Sequence, residues 1–198
     1  MDDDTPIDWE AAHRDGHIES PLDQHVIDLA PTLTAGTSLD MGCGAGQNSI
    51  WLAERGWAVT GVDIAPSAIA AAKEAAANAS VDATFLVGDT REWTTSDEFS
   101  FVFSTYALPQ KGPGRTHALA TAVGSVARGG TLLITEFDVS MTDEGGGWSP
   151  ADLIDLSELK PHLDGFEILD LSVVRTRHAH GHDEQNYPIA VAVARRPA

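Results

Sequence analysis

The sequence predicts a single α/β domain in which helices cover both faces of a mostly parallel sheet. From residue 37 onward, short apolar segments alternate with segments of helical pattern, which is typical of strand–helix units joined by right-handed crossovers. No helical segment separates the last two predicted strands, so we expect them to pair antiparallel. A length of 198 residues suits one such domain.

The individual elements follow from apolar runs and from helix start and stop signals. Strands are predicted at residues 37–41, 57–62, 84–87, 99–103 and 131–137, with two more at 166–177 and 187–195 on either side of a polar connection. Helices are predicted at 47–55, 66–79 and 117–128. The sequence Ser149-Pro150-Ala151-Asp152 has the pattern of a capping box and predicts a further helix to about Lys160.

The charge balance of the chain limits its partners. Thirty Asp and Glu against twelve Lys and Arg give a net charge of −18 and a pI near 4.5. Nucleic acids and anionic membranes are bound largely through Lys and Arg, so neither is expected as a partner. We expect a monomer or a homodimer.

The sequence predicts neither a secretory signal peptide nor a membrane-spanning segment. The single cysteine, Cys43, excludes an internal disulfide. The acidic start Met1-Asp2-Asp3-Asp4 lacks the basic and apolar regions of a signal peptide, and no apolar run is long enough for a membrane span. A cytoplasmic location is therefore expected.

A glycine-rich turn between the first strand and the first helix of the sheet predicts a ligand site. Glycine at positions 42, 44 and 46 permits backbone conformations closed to other residues and lets a ligand approach closely. The following helix presents its N-terminal amides to that ligand. Asp63, at the end of the second strand, is placed to accept hydrogen bonds from ribose hydroxyls. These features fit any cofactor that contains adenosine.

The spacing within the turn separates two cofactor classes. A dinucleotide fingerprint needs glycine three residues after Gly44, and that position is Gln47. Asp40 precedes the first glycine and would repel a pyrophosphate. A carboxylate there suits a cationic ligand that carries an ammonium and a sulfonium group.

Three segments together resemble the class I S-adenosylmethionine-dependent methyltransferases. They are Leu39-Asp40-Met41-Gly42-Cys43-Gly44-Ala45-Gly46, Val59-Thr60-Gly61-Val62-Asp63 and Gly88-Asp89. The resemblance implies a Rossmann-like three-layer sandwich with strand order 3-2-1-4-5-7-6 and an antiparallel seventh strand. It implies one domain over residues 1–198, with an N-terminal helical lid segment at 1–31 and a core at 32–198. Residues 46–57 resemble the small-molecule branch that includes tellurite-resistance and thiopurine methyltransferases.

The resemblance also implies how S-adenosylmethionine would be held. The turn at residues 42–46 would hold the methionine portion, with Asp40 near the amino group and Cys43 as a small filler within the turn. Asp63 would bind the ribose, and Ile64 would pack on the adenine. Asp89 and Thr90 would meet the adenine amino group, and Ser104 would line the floor beneath the methionine.

The methyl acceptor is expected at the carboxyl ends of the later strands, where ligands bind in open α/β sheets. Tyr106 follows the fourth strand, Glu136 and Asp138 follow the fifth, and His178, His180 and His182 follow the sixth. The three histidines suit either a solvated hairpin tip or a metal site, and we favour the hairpin tip. No catalytic residue is assigned, because an activated donor needs mainly proximity and in-line orientation.

The acceptor itself is left open by the sequence. The Asn/Asp-Pro-Pro-aromatic motif of DNA amino-methyltransferases is missing after the fourth strand, which disfavours nucleobase amines. The negative charge favours a neutral or cationic small molecule over an anion. Two alternatives remain, an NAD(P)-dependent oxidoreductase and a non-catalytic protein that binds S-adenosylmethionine.

Overall fold

The computed structural model describes residues 8–14, 21–144, 149–180 and 183–198, and in this part of the chain seven strands form one sheet. The strands are β1 (Thr37–Met41), β2 (Ala58–Asp63), β3 (Ala83–Val87), β4 (Phe99–Thr105), β5 (Val126–Phe137), β6 (Glu167–His180) and β7 (Asp183–Arg195). Their order is β3-β2-β1-β4-β5-β7-β6, and β7 is antiparallel to both of its neighbours. The predicted strand order and the antiparallel last strand are confirmed.

Helices cover both faces of this sheet. They are α1 (Trp9–Arg14), α2 (Gln24–Leu29), α3 (Gln47–Ala53), α4 (Pro66–Ala79), α5 (Pro113–Gly124) and α6 (Leu156–Leu159). Short 3-10 helices follow at Ala30–Thr32, Val139–Glu144 and Lys160–Leu163. None of the helices in the described ranges is long and apolar enough to cross a membrane.

The central strands are buried on both faces, and alternate residues enter different cores. Leu39 and Met41 pack with the core that includes Leu119 of α5. Phe101 and Phe103 pack with the other core, on the side of α2 and α3. Because side chains alternate along a strand, the residue number decides which layer a side chain at the strand end will meet.

The predicted helix from Ser149 to about Lys160 is wrong. Residues 150–152 form a turn, Ile154 forms an isolated bridge with Asp138, and the helix is reduced to α6, with Asp155 as its N-cap. Hydrogen bonds to distant residues replace those of a helix in this segment. The Ile154 amide donates to the Phe137 carbonyl at the end of β5, and the Leu153 carbonyl accepts a hydrogen bond from Arg115.

Two other predicted boundaries also shift. The helix predicted at 117–128 is α5, which starts at Pro113, while Val126 already pairs with Phe99 in the sheet. The polar connection predicted at 178–186 is mostly strand, since β6 and β7 pair as far as His180 and Asp183. The hydrogen bonds between paired strands join backbone groups and need no apolar side chains. The polar side chains of this segment therefore led to the wrong prediction of a loop. β5 pairs with β7 only as far as Phe137, so the end of this hairpin extends beyond the carboxyl edge of the sheet.

Candidate cofactor-binding site

The glycine turn between β1 and α3 has the backbone conformation that its sequence predicts. Gly42, Gly44 and Gly46 have φ angles of +82°, +51° and +83°. The amides of Gly42 and Cys43 both donate to the Val62 carbonyl, at 2.8 and 3.0 Å. The turn is therefore held against the end of β2, and it opens directly into α3.

Close packing explains the small residues in and beside this turn. A Cβ on Gly42 would overlap the side chain of Ala107, which belongs to the loop after β4. A Cβ on Gly61 would lie 2.8 Å from the Cys43 sulfur. Burial raises the pKa of the Cys43 thiol, with the nearby carboxylates of Asp40 and Asp63 adding to the effect. This cysteine is a packing residue in the turn, not an activated nucleophile.

Asp40 is buried at the end of β1. Its side chain is 1% exposed, and the Ser49 hydroxyl donates to its Oδ2 at 2.7 Å. Burial raises the pKa of Asp40 to about 7, the Ser49 hydrogen bond opposes the rise, and the carboxylates of Asp63 and Asp23 add to it. The charged neighbours that act on Asp40 are thus both acidic.

Asp63 joins the turn to the end of β2. The amide of Gly44 donates to Oδ2 at 2.8 Å, and the amide of Ala65 donates to Oδ1 at 2.9 Å. The side chain is 8% exposed. Each carboxylate oxygen retains acceptor capacity after one such bond. Asp63 therefore shapes the turn itself, a role that the sequence analysis missed.

The predicted adenine side lies next to Asp63. The Ile64 side chain is 39% exposed, as an apolar surface open to a ligand would be. Asp89 instead has a protein partner, because Nε and Nη2 of Arg91 donate to both of its oxygens at 2.6 to 2.9 Å. These hydrogen bonds from Arg91 lower the pKa of Asp89. Thr90 and the buried Ser104 line a narrow space behind the turn.

Tyr106, a predicted acceptor-side residue, lies just after the end of β4 and packs against the end of β5. Tyr106 has a φ of +53°, and its ring packs on Phe137 with 5.0 Å between centroids. Burial raises the pKa of Tyr106, and so do the nearby carboxylates of Asp23 and Glu136. Tyr106 is partly buried, so it forms part of the wall of this edge.

Glu136 lies beneath the loop after β4 and not on the rim. It is 4% exposed and accepts hydrogen bonds from the amides of Leu108 at 3.1 Å and Phe137 at 3.0 Å. Burial raises the pKa of Glu136 to about 7, while these two backbone bonds oppose the rise. Its present contacts hold the loop in place.

The histidines that follow the sixth strand are only partly described. The backbones of His178 and His180 pair with Gln185 and Asp183 in the β6–β7 hairpin. Their side chains and the whole of His182 lie outside the described residues. Among the residues that are described, no group of three His, Cys, Asp or Glu side chains is arranged to hold a metal ion.

A polar network that the sequence analysis missed joins the N-terminal segment to this edge. The Thr135 hydroxyl donates to Asp23 at 3.3 Å, and the Asp23 amide donates to the Asn48 side chain at 2.9 Å. Asn48 in turn donates to the Thr105 hydroxyl at 3.2 Å. Asp23 is the N-cap residue of α2, and an aspartate just before a helix is the one feature of the neighbouring sequence that could have indicated its role. Its other partners are distant in sequence.

Comparison with known proteins agrees with this geometry. Residues 39–130 match the family described as methyltransferase domain. Residues 39–130 of the chain therefore carry a methyltransferase domain. The predicted family is thereby confirmed, and the matched range includes the glycine turn, Asp63, Asp89 and Ser104.

Solved structures with the same fold as this methyltransferase domain include three that cover most of the chain. TehB from Haemophilus influenzae has a TM-score of 0.77 and 19% identity, covering 95% of this chain and 67% of its own. Magnesium protoporphyrin IX methyltransferase from Synechocystis, with bound SAH, has a TM-score of 0.69 and 19% identity over 92% of each chain. The N-methyltransferase NodS from Bradyrhizobium japonicum, in complex with S-adenosyl-L-homocysteine, has a TM-score of 0.67 and 20% identity, covering 99% of this chain and 90% of its own.

A curated relative is closer in sequence but only over a short stretch. Ribosomal RNA small subunit methyltransferase C from Alcanivorax borkumensis is 46% identical over 54 residues, which is 27% of this chain. The matched stretch spans 17% of that enzyme's length.

Gly42→Ala should destabilise the methyltransferase domain more than Gly56→Ala does. Both glycines are left-handed, with φ angles of +82° and +85°, so each alanine adds about 1–2 kcal/mol of backbone strain. A Cβ on Gly56 meets nothing within 4 Å, whereas one on Gly42 overlaps Ala107 and adds about 1–3 kcal/mol of overpacking. Urea unfolding measures both variants. Equal losses would show that the Ala107 contact does not constrain the turn.

The free energy of unfolding should fall as pH rises from about 4 to about 7. The unfolded chain ionises Asp and Glu near pH 4, whereas folded Asp40 and Glu136 keep their protons until pH about 7. The folded state therefore binds more protons across this window and loses stability as pH rises through it. The loss is on the order of 2–4 kcal/mol for each residue, at about 1.4 kcal/mol per pKa unit.

Asp40→Asn tests this origin of the pH dependence. It keeps an oxygen acceptor for Ser49 but removes the titration, so the slope of stability against pH should become shallower. Glu136 and Asp23, whose pKa values are also raised by burial, should supply a remaining slope of the same sign. Asp82→Asn removes the same charge at an exposed position and should keep the wild-type slope. An unchanged slope in Asp40→Asn would mean that burial of this carboxyl group is not the cause.

Proposed function

We propose that this chain is an S-adenosylmethionine-dependent methyltransferase that acts on a neutral or cationic small molecule. The observation that carries the proposal is the pair of buried carboxyl groups, Asp40 and Asp63, on either side of a glycine turn that a Cβ would obstruct. Burying a carboxylate without a cation is costly, so the pair fits a ligand that brings positive charge. The methyltransferase family match supports the same cofactor.

The residues proposed to hold the cofactor follow the edge of the sheet. The turn and Asp40 would hold the methionine portion, Asp63 the ribose and Ile64 the adenine. Asp89 and Thr90 would meet the adenine amino group, with Cys43 and Ser104 completing the floor. Asp89 would keep Arg91 as its partner and contribute through its remaining acceptor capacity.

The bound sulfonium supplies an activated methyl group, so the chain's own contribution is orientation and exclusion of water. Tyr106 and the loop that follows it would form the acceptor wall, with Glu136 behind it. A carboxyl group with a pKa of about 7 is suited to accept a proton near neutral pH. The hairpin that carries His178 and His180 extends beyond the same edge and would contribute further contacts.

The charge of the chain supports the small-molecule acceptor. At a net charge of −18, an anionic acceptor or an RNA would be repelled. The relative from Alcanivorax borkumensis is named for ribosomal RNA, but it shares only the 54-residue stretch with this chain. We also propose a cytoplasmic location, since the single cysteine is buried and unpaired.

Calorimetry with S-adenosylmethionine, S-adenosylhomocysteine and NAD tests the cofactor. Both sulfur ligands should bind, and NAD should not. Asp63→Ala should weaken their binding by about 1–3 kcal/mol, the cost of removing one partner of a buried polar contact. Asp82→Ala removes an exposed carboxylate and should bind like wild type. Binding of NAD alone would overturn the proposal in favour of an oxidoreductase.

Transfer of a labelled methyl group then tests the activity. Thiols, amines, phenols, selenite, tellurite and ribosomal RNA are offered in turn, and we expect label in a neutral or cationic small molecule. Label in ribosomal RNA would contradict the acceptor class. Binding of the cofactor with no label in any acceptor would favour the non-catalytic alternative.

We further propose that the N-terminal segment covers the adenosine side of the site. The N-cap residue of α4 is Ala65, whose side chain cannot accept a capping hydrogen bond. Glu10 of α1, which is distant in sequence, supplies the capping carboxylate instead. The Glu10 carboxylate accepts from the Ser67 amide and from the Ser67 hydroxyl, both at 2.9 Å. This contact joins α1 to the first turn of α4, which follows Asp63 and Ile64 in the chain, and it supports the proposed lid.

Glu10→Ala should therefore weaken binding of S-adenosylhomocysteine and destabilise the domain by about 0.5–2 kcal/mol, the usual effect of removing a helix cap. Glu74→Ala, at an exposed position of α4, removes an equal charge and should change neither property. Loss of stability with unchanged affinity would show that Glu10 caps α4 but that α1 is no lid.

A further inference from the structure

Arg115 is a fully buried cation in the first turn of α5. Its side chain is 0% exposed. The guanidinium donates from Nε to the Pro109 carbonyl at 2.6 Å, from Nη1 to Leu153 at 2.8 Å and from Nη2 to Ala151 at 2.6 Å. Each of the three guanidinium nitrogens donates to a backbone carbonyl, so three of the five N–H donors of the group are engaged in these bonds.

These carbonyls belong to two different segments. Pro109 lies in the loop after β4, whereas Ala151 and Leu153 lie in the turns before α6. A second bond joins the same segments, since the Lys111 amide donates to the Ala151 carbonyl at 2.7 Å. The Glu158 carboxylate, 3.6 Å from Nη1, provides countercharge. Arg115 thus ties the loop after β4 to the segment that follows β5.

The loop held by Arg115 also contacts the cofactor turn. Ala107 packs against Gly42, and the Leu108 amide donates to Glu136 at 3.1 Å. Only Leu108 separates Ala107 from Pro109, the residue that Arg115 holds. A displacement of the Pro109 carbonyl would therefore reach the wall of the site within two residues.

We propose that Arg115 is a positioning residue that fixes the loop at 106–112 against the glycine turn and so sets the distance between donor and acceptor. It does not touch the reacting atoms. Its kinetic consequence rests on the proposed function, because in-line transfer is sensitive to misplacement of about 1 Å, which can cost roughly 100-fold in rate. Its structural consequence, a rigid loop, does not rest on that function.

Arg115→Lys keeps the positive charge but cannot reproduce three diverging hydrogen bonds. Hydrogen exchange should speed up in residues 106–112 and 149–155, while the central strands stay protected. Affinity for S-adenosylhomocysteine should stay close to wild type, and turnover of the acceptor found in the labelling panel should fall about 100-fold. Glu158→Gln removes only the countercharge and should give a smaller change of the same kind. Arg55→Lys, at an exposed arginine, is the control and should change none of these quantities.

Two results would overturn the proposal. One is unchanged exchange in both segments of folded Arg115→Lys. The other is faster exchange throughout the sheet with affinity and turnover lost in proportion, which would indicate a general structural role. If Arg115→Lys does not fold, Glu158→Gln decides by the same two criteria. If the wild-type protein binds no S-adenosylhomocysteine, the proposed function fails, and the exchange measurement still judges the positioning role.

Discussion

The burial of acidic groups where the strands end is the constraint on which the rest of the site depends. Asp40 and Glu136 are almost fully buried, and a buried carboxylate without compensation costs several kcal/mol. The chain compensates with hydrogen bonds from Ser49 to Asp40 and from backbone amides to Glu136. The remaining cost shows in pKa values of about 7 for both residues. These groups are held close to their change of charge at neutral pH.

Successive side chains of β5 point to opposite faces of the sheet, so the interactions that they make lie on both faces. Thr135 faces the side of α2 and donates to Asp23, whereas Glu136 faces the opposite side and accepts from the loop after β4. Two neighbouring residues of one strand thus connect the N-terminal segment and the acceptor-side loop. The rigid centre of the sheet fixes both, which is how loops at a strand edge acquire defined positions.

Local patterns predicted the sheet and the glycine turn, because each depends on residues that are near one another in sequence. Apolar runs, the glycines at 42, 44 and 46, and the acid at 63 carry their meaning within a few positions. The helix at 149–160 was mispredicted for the opposite reason. Its carbonyls bind Arg115, 36 and 38 residues away, and no local pattern reports such a partner. The roles of Asp23 and Arg115 were missed for the same reason, because their partners are distant in sequence.

The same electrostatics bear on the direction of the proposed reaction. Methyl transfer converts a positively charged sulfonium into a neutral thioether, while the amino group, which we propose to lie near Asp40, keeps its charge. In the proposed site, buried carboxylates near the sulfur would therefore favour the donor over the product, because attraction between charges is strong where water is excluded. A neutral or cationic acceptor adds no negative charge to this edge. With the proposed function, the same acidic composition that argues against a nucleic-acid partner would also favour binding of a cationic donor and release of a less cationic product.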